Sequence, residues 1–477
     1  MRKLLPLLFA LASLFPLTVT AEEQVTLRGS ESAVRVVPQE RAQVQYSYAP
    51  LVKKTAPAVV NVYAARQVRQ RRSPFAGDPF FERFFGRNAF GRRPRQRTAR
   101  SLGSGVIVSA DGMVITNHHV IKDADEVKVA LSDGQEFAAK IVLVDKRSDL
   151  AVLQFEPDDA MPVVPLGDSE NLQVGDLVLA LGNPFGVGQT VTSGIVSALA
   201  RSQNGVNDFG FFIQTDASIN PGNSGGALVD MDGRLIGINT AIYSRSGGSN
   251  GIGFAVPSNM VRVVMDSVRM GSSTVVRPWV GAQFQAVTAD IASSLGLLKP
   301  AGALVAGLTP DGPAEKAGLK LGDIVLAIDG KTVPHVDALG YRLATAGLGR
   351  LVQLDVLSRG DRATLSIRLD EPPEVPARDQ RSISGRSPFA GVTIANLSPR
   401  VAQELEFKVD KTGVVITEVQ PRSQAARLGF RPRDILVSIN DEPLQDTATL
   451  ANMDSTRLQV WNYVVERDGR RYERYLR

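Results

Sequence analysis

A serine hydroxyl is a poor nucleophile until a base removes its proton, and that base must be held in one tautomer by an acceptor. The stretch Asn220-Pro221-Gly222-Asn223-Ser224-Gly225-Gly226-Ala227-Leu228 gives a serine the surroundings such an attack needs. Small neighbours let a substrate carbonyl approach Ser224. Backbone N–H groups at Gly222 and Ser224 can point at the oxyanion that forms. Taken alone, the same residues also describe an ordinary turn between strands. The decision rests on what stands upstream, and the chain has 3 histidines. His118 and His119 end an apolar run in Thr116-Asn117-His118-His119-Val120, whereas His335 lies beyond the serine and reads as a solvated surface residue. For the orienting carboxylate, Asp149 fits best, at the head of the apolar run Leu150-Ala151-Val152-Leu153. Asp145, among Lys146 and Arg147, is the competitor and reads as a solvated turn residue.

The order is therefore His, Asp, Ser, which is the order of chymotrypsin-type double β-barrels and differs from the α/β-hydrolase and subtilisin orders. The surrounding chain suits that architecture. From 101 to 256 it is a series of short strand-like runs with turn residues between them, such as Gly105-Val106-Ile107-Val108 and Leu177-Val178-Leu179-Ala180, a spacing that predicts sandwiches or barrels. Residues 257–270 then carry Met260, Val263, Val264 and Val268 at helical spacing, and Gly271 stops the helix. Beyond it lies an internal repeat. The stretch from Gly302 to Gly330 aligns without gaps with that from Gly413 to Asp441, with the identical pairs Pro310/Pro421, Ala314/Ala425, Gly318/Gly429, Asp323/Asp434, Ile324/Ile435 and Ile328/Ile439. Two copies of one small domain follow from it, with a proline-stiffened linker over 373–386 between them.

The whole chain has 477 residues, 43% of them hydrophobic, enough for about three domains at ~150 residues each. With no cysteine, disulfides, thiolate catalysis and thiolate zinc sites are excluded, and so few histidines make a His-rich metal site improbable; no metal or other cofactor is expected. Residues 1–21 read as a cleaved secretory signal: Arg2 and Lys3, an apolar run from Leu4 to Leu17, then Val19-Thr20-Ala21. No later stretch is long and apolar enough for an integral membrane anchor. The net charge of +5 is concentrated, since residues 66–100 hold eleven arginines against Asp78 and Glu82. Six phenylalanines between Phe75 and Phe90 and the export signal argue for a long docking loop over about 64–101 and against a nucleic-acid partner.

The blocks Thr116-Asn117-His118-His119-Val120, Ser148-Asp149-Leu150-Ala151, Gly182-Asn183-Pro184-Phe185-Gly186 and Gly222-Asn223-Ser224-Gly225-Gly226 resemble those of the Deg/HtrA family. The repeats resemble its two C-terminal PDZ domains, and the layout resembles its bacterial periplasmic members. The resemblance implies a mainly β fold: a chymotrypsin-like double β-barrel protease domain over 22–272, then two small α+β PDZ domains over 273–372 and 387–477. It implies His119 as base, with His118 its neighbour, Asp149 as orienter and Ser224 as nucleophile. The oxyanion hole would form at Gly222 and Ser224 with the Asn223 peptide between them. The PDZ carboxylate loops would be Val280, Gly281 and Ala282 in the first copy and Ala390 and Gly391 in the second. It further implies an ATP-independent periplasmic endopeptidase of unfolded envelope proteins, bound through hydrophobic C-termini and built as a trimer with larger cages. The absence of a phosphate-cradling G-x-x-x-x-G-K-[ST] loop fits ATP independence. Segments 238–242 and 250–256 resemble the family's loops that shape the specificity pocket; they carry no charge, which argues against a trypsin-like preference and predicts cleavage after small aliphatic residues such as Val, Ala or Ile. A holding function on the same fold is the second class of reading. The family's cysteine pair in the long loop is missing here.

Overall fold

A computed structural model describes residues 47–67, 98–184, 188–201, 211–220, 222–242, 249–295, 297–407, 411, 413–455 and 460–476. The signal segment, Tyr46, Pro221 and all but the ends of the Arg/Phe loop lie outside the described residues. A short helix α1 (Ala49–Thr55) opens the described fold.

The alternation and continuous apolar runs of the first half close into two barrels. Strands β1 (Val59–Gln67), β2 (Thr98–Ser109), β3 (Met113–Asn117), β4 (Glu126–Ala130), β5 (Glu136–Asp145) and β6 (Leu150–Gln154) form the first, in the order β1-β2-β3-β6-β5-β4. Closure comes from the antiparallel pairing of β1 with β4, which leaves no free edge. A helix α2 (His118–Ile121) caps β3. The second barrel uses β7 (Leu177–Gly182), β8 (Thr190–Arg201), β9 (Phe212–Thr215), β10 (Ala227–Val229), β11 (Leu235–Ile242) and β12 (Gly253–Pro257), closed by the β10–β7 pair. Val106, Ile115, Leu150, Val152, Leu179 and Leu235 are fully buried and belong to one shared core.

Helix α3 (Ser258–Arg269) follows, as the periodicity predicts, and the chain leaves it through Gly271 at φ +75°. Its buried side is broader than expected. Val261 and Met265 are buried with Met260 and Val264, while Val263 and Val268 are half-buried. The cause is packing on two sides, against the barrels on one and a helix of the next domain on the other.

That first repeat copy is a sheet of β13 (Ala282–Ala286), β14 (Ala303–Leu308), β15 (Ile324–Ile328), β16 (Lys331–Thr332), β17 (Leu351–Ser358) and β18 (Asp361–Arg368), with α4 (Ala289–Ser294), α5 (Pro313–Lys316) and α6 (Val336–Ala346). The strand order is β13-β14-β15-β17-β18, so β13 is an edge. The second copy has β19 (Arg381–Ser382), β20 (Val392–Asn396), β21 (Val414–Val419), β22 (Ile435–Ile439), β23 (Glu442–Pro443), β24 (Trp461–Arg467) and β25 (Arg470–Leu476), with α7 (Pro399–Glu404), α8 (Gln424–Leu428) and α9 (Thr447–Ser455). The repeat is physical as well as textual. Asp323 accepts from the Lys320 amide at 2.9 Å and Asp434 from the Arg431 amide at 2.8 Å. Gly318 and Gly429 each end a short helix at φ +91° and +84°, a conformation open to glycine.

The domains touch through named side chains. Tyr341 of α6 is buried, its ring 3.9 Å from that of Phe211 and nearly parallel to it, and its hydroxyl is 3.4 Å from Ser169 Oγ. Lys331 pairs with Glu170 at 3.1 Å. The segment 373–386 is not a free spacer: Arg400 donates its amide to the Pro373 carbonyl, and Arg378 pairs with Glu374 and with Glu404 of α7. No helix among the described residues is long and apolar enough to cross a membrane.

Candidate active site

The site sits where the barrels meet. β3 delivers His119 at the start of α2, and β6 begins directly after Asp149. Asp149 has φ +59°, a left-handed conformation that costs an L-residue of order 1 kcal/mol. The cost is offset by local bonds. The Asp149 carbonyl accepts from the His118 amide at 3.0 Å and from Asn117 Nδ2 at 2.9 Å, which locks the head of β6 to the end of β3. The carboxylate then faces the histidine. Its Oδ1 accepts from the His119 amide at 3.0 Å, and its Oδ2 lies 2.7 Å from His119 Nδ1. A carboxylate at this distance fixes the orientation of an imidazole. Burial alone would raise the Asp149 carboxyl. The charge of His119 and the hydrogen bonds from His119 and Thr240 outweigh it and hold its pKa below the usual aspartate value. His118 is the half-buried neighbour, and burial lowers its pKa.

Thr240, on β11 of the second barrel, is fully buried and was not singled out from sequence. Its Oγ1 donates to Asp149 Oδ2 at 2.8 Å, and its carbonyl accepts from Ser224 Oγ at 3.3 Å. One residue thereby touches both the Asp149 carboxylate and Ser224. The structure brings together His119, Asp149 and Ser224, with the serine hydroxyl turned toward Thr240.

The serine turn is built by glycines and a distant serine. Gly222 has φ +97°, and a Cβ there would collide with Pro184. Gly225 has φ +85°, and its Cβ would collide with the Ser104 carbonyl. Ser104 itself, buried on β2, donates its hydroxyl to the Gly222 carbonyl at 2.6 Å, accepts from the Asn183 amide at 2.8 Å, and donates its own amide to the Ser224 carbonyl at 2.8 Å. Asn239 accepts from the Gly225 amide and donates to the Gly226 carbonyl. The Asn223 amide bonds the Asn220 carbonyl at 3.0 Å within the turn. No described residue accepts from the amides of Gly222 and Ser224. Acyl chemistry at a serine uses backbone donors of this kind.

Two expectations change. Asp145 is buried, not solvated: it bonds the Ser148 hydroxyl and pairs with Arg277 from the segment entering the first repeat domain. His335 is half-buried at the start of α6, 3.8 Å from Asp337.

In the segments expected to hold a peptide carboxylate, Val280 is buried and its carbonyl accepts from the Ala314 amide, while the Gly281 carbonyl accepts from the Thr309 amide, each at 2.8 Å. Gly281 has φ +68° and a Cβ there would come within 3.2 Å of Gly312. Ala282 opens the edge strand β13. In the second copy Ala390 is buried, and the Gly391 amide is already bonded to the Ile383 carbonyl at 2.8 Å.

Comparison with known proteins agrees with this geometry. Residues 103–238 match a trypsin-like peptidase domain, and residues 278–369 and 415–453 each match a PDZ domain. The chain is 41% identical over 417 residues to a probable periplasmic serine endoprotease DegP-like protein of Pseudomonas fulva, covering 83% of this chain and 86% of that one. It is 40% identical over 426 residues to the similarly named protein of Halomonas elongata, covering 86% and 88%. Among solved structures it is similar to the HtrA-type protease AlgW with a decapeptide, at 44% identity and TM-score 0.51, covering 69% of this chain and 99% of that one.

Proposed function

The chain belongs to the HtrA family of serine endoproteases, together with the DegP-like proteins, and from that premise we propose that it degrades unfolded envelope proteins in the periplasm without ATP. The observation that carries the chemical part is the His119–Asp149 contact at 2.7 Å beside the glycine-held turn of Ser224. In this reading the Ser224 hydroxyl rotates from the Thr240 carbonyl to His119 Nε2, and His119 takes its proton as the oxygen attacks the scissile carbonyl. The amides of Gly222 and Ser224 hold the resulting oxyanion. His119 then gives the proton to the leaving amine, and water repeats the sequence on the acyl enzyme.

The preferred residue before the cut is small and aliphatic. Segment 250–256 carries no charge. At Gly253 a Cβ would come within 2.8 Å of Ile219, so the apolar wall already fills that space. Val280, Gly281 and Ala282 capture hydrophobic C-termini by strand addition to β13; similar structures are of AlgW with a decapeptide and with a tripeptide. Export through residues 1–21, trimer-based assembly, docking of the Arg/Phe loop at a neighbouring site and a holding activity complete the reading. Reduced, unfolded casein without ATP tests it: the wild type cleaves after Val, Ala or Ile and Ser224→Ala does not. Equal rates for the two, or a clear Arg/Lys preference, would overturn it.

A further inference from the structure

The two PDZ copies differ at the strand that should receive a peptide. In the first, β13 pairs only with β14 among the described residues, and it exposes Gln283, Gln285 and Ala286, with Ala282 and Phe284 half-buried. In the second, the corresponding β20 is buried from Val392 to Asn396. Its outer edge is paired with the chain's own segment 377–383, which we call the strap.

The strap runs antiparallel along the outer edge of β20. At its start the Ala377 carbonyl accepts from Asn396 Nδ2 and the Arg378 carbonyl from the Asn396 amide, both at 2.8 Å. Arg381 then lies opposite Ile394, and Ser382 opposite Thr393. At its end the Ile383 amide donates to the Val392 carbonyl at 2.9 Å, and the Ile383 carbonyl accepts from the Gly391 amide at 2.8 Å. The Ile383 side chain is buried in the same core as Phe389, Val392, Ile394 and Leu450. On its other side the strap reaches helix α9, where Asp379 Oδ2 accepts from Thr447 Oγ1 at 2.6 Å.

A peptide bound by strand addition lies along such an edge, with its carboxyl end on the loop amides and its last apolar side chain in the core beneath. The strap meets each condition. Its chain direction carries Ile383 toward the loop, its carbonyl takes the Gly391 amide, and its isoleucine fills the apolar space. We propose that residues 377–383 are an intrachain ligand of the second PDZ domain, so that capture of free peptide C-termini falls to the first PDZ domain alone. The proposal rests on the reading of these loops as peptide sites. It gives the second domain a different task, that of holding the segment that joins it to the first.

The test uses the full-length Ser224→Ala chain and a fluorescent decapeptide ending in Ala-Leu-Val. Titration should saturate at one peptide per chain, and Gly281→Arg should abolish it. Exchanging residues 377–383 for a Gly/Ser segment of equal length should raise the stoichiometry to two. Two peptides per unmodified chain, or retained binding in the Gly281→Arg chain, would overturn the proposal. Hydrogen exchange on the unmutated strap provides a check that does not depend on variants folding. The amides of Ile383, Gly391 and Asn396 should be protected without peptide and unchanged at saturation. Exchange at free-chain rates, or protection that appears only with peptide, would overturn it. No binding by any chain would instead sink the capture reading, which the exchange data separate from the strap itself.

Discussion

The hydroxyl of Thr240 lies 2.8 Å from Oδ2 of Asp149, joining a strand of the second barrel to the carboxylate of the first. The same oxygen faces His119 Nδ1 at 2.7 Å. The Asp149 carboxylate is therefore held from both barrels.

Removing that hydroxyl with Thr240→Val keeps the shape and deletes one bond to a buried charge. Such bonds are worth about 1.5–3 kcal/mol. We expect kcat on a fluorogenic peptide to fall about tenfold to a hundredfold with KM nearly unchanged. Steady-state kinetics on a fluorogenic peptide measure the split, and a change confined to KM would refute the positioning role.

Ser104→Ala removes the side chain that bonds the Gly222 carbonyl and the Asn183 amide. Two buried polar groups lose their partner, at about 1–3 kcal/mol each. The variant should melt several degrees lower and lose activity more than stability, because the serine turn loosens first. Thermal unfolding by circular dichroism and turnover on the same sample report both effects.

The Asp145–Arg277 pair ties the loop before Asp149 to the entry of the first PDZ domain, and Gln403 of α7 bonds the Arg277 amide and carbonyl, each at 3.0 Å. Arg277→Ala strands a buried carboxylate. Breaking such a pair costs about 3–5 kcal/mol, so the protease domain should unfold at clearly lower denaturant. Asp145→Leu together with Arg277→Met should recover much of that loss. A double variant no better than Arg277→Ala would show that the charges themselves are required.

Burial lowers the pKa of His118 below its ordinary value of about 6.5, with Lys146, His119 and Lys122 adding to the effect and Asp149 opposing it. The unfolded chain thus binds this proton more readily than the folded one. The stability is present above about pH 6.5 and is lost as pH falls through the lower folded value. His118→Asn should flatten the decline in melting temperature between pH 7 and 5 relative to wild type. Parallel curves would contradict it.

Ser224, His119 and Asp149 stand out in the sequence because each sits in a short local pattern: a glycine turn, the end of an apolar strand, the head of another. The gapless repeat was legible for the same reason, since Pro310/Pro421 and Asp323/Asp434 keep their spacing. What sequence could not show are bonds between segments far apart in the chain. Asp145 looked like a solvated turn residue because Arg277, which buries it, comes from another domain. Thr240 and Ser104 are unremarkable polar residues on apolar strands until the barrels close around the serine. The strap had the same difficulty, since the prolines of 373–386 read as a spacer while the bonds that dock it run to β20 and α9.

The most direct measurement is covalent labelling with a fluorophosphonate, read by intact mass and peptide mapping at pH 7.5 in the presence of unfolded casein. We predict one adduct per chain on the peptide carrying Ser224, formed at least about a thousandfold more slowly in His119→Ala. Labelling at another residue, or an undiminished rate in His119→Ala, would contradict the account of Ser224 as a nucleophile activated by His119 and Asp149.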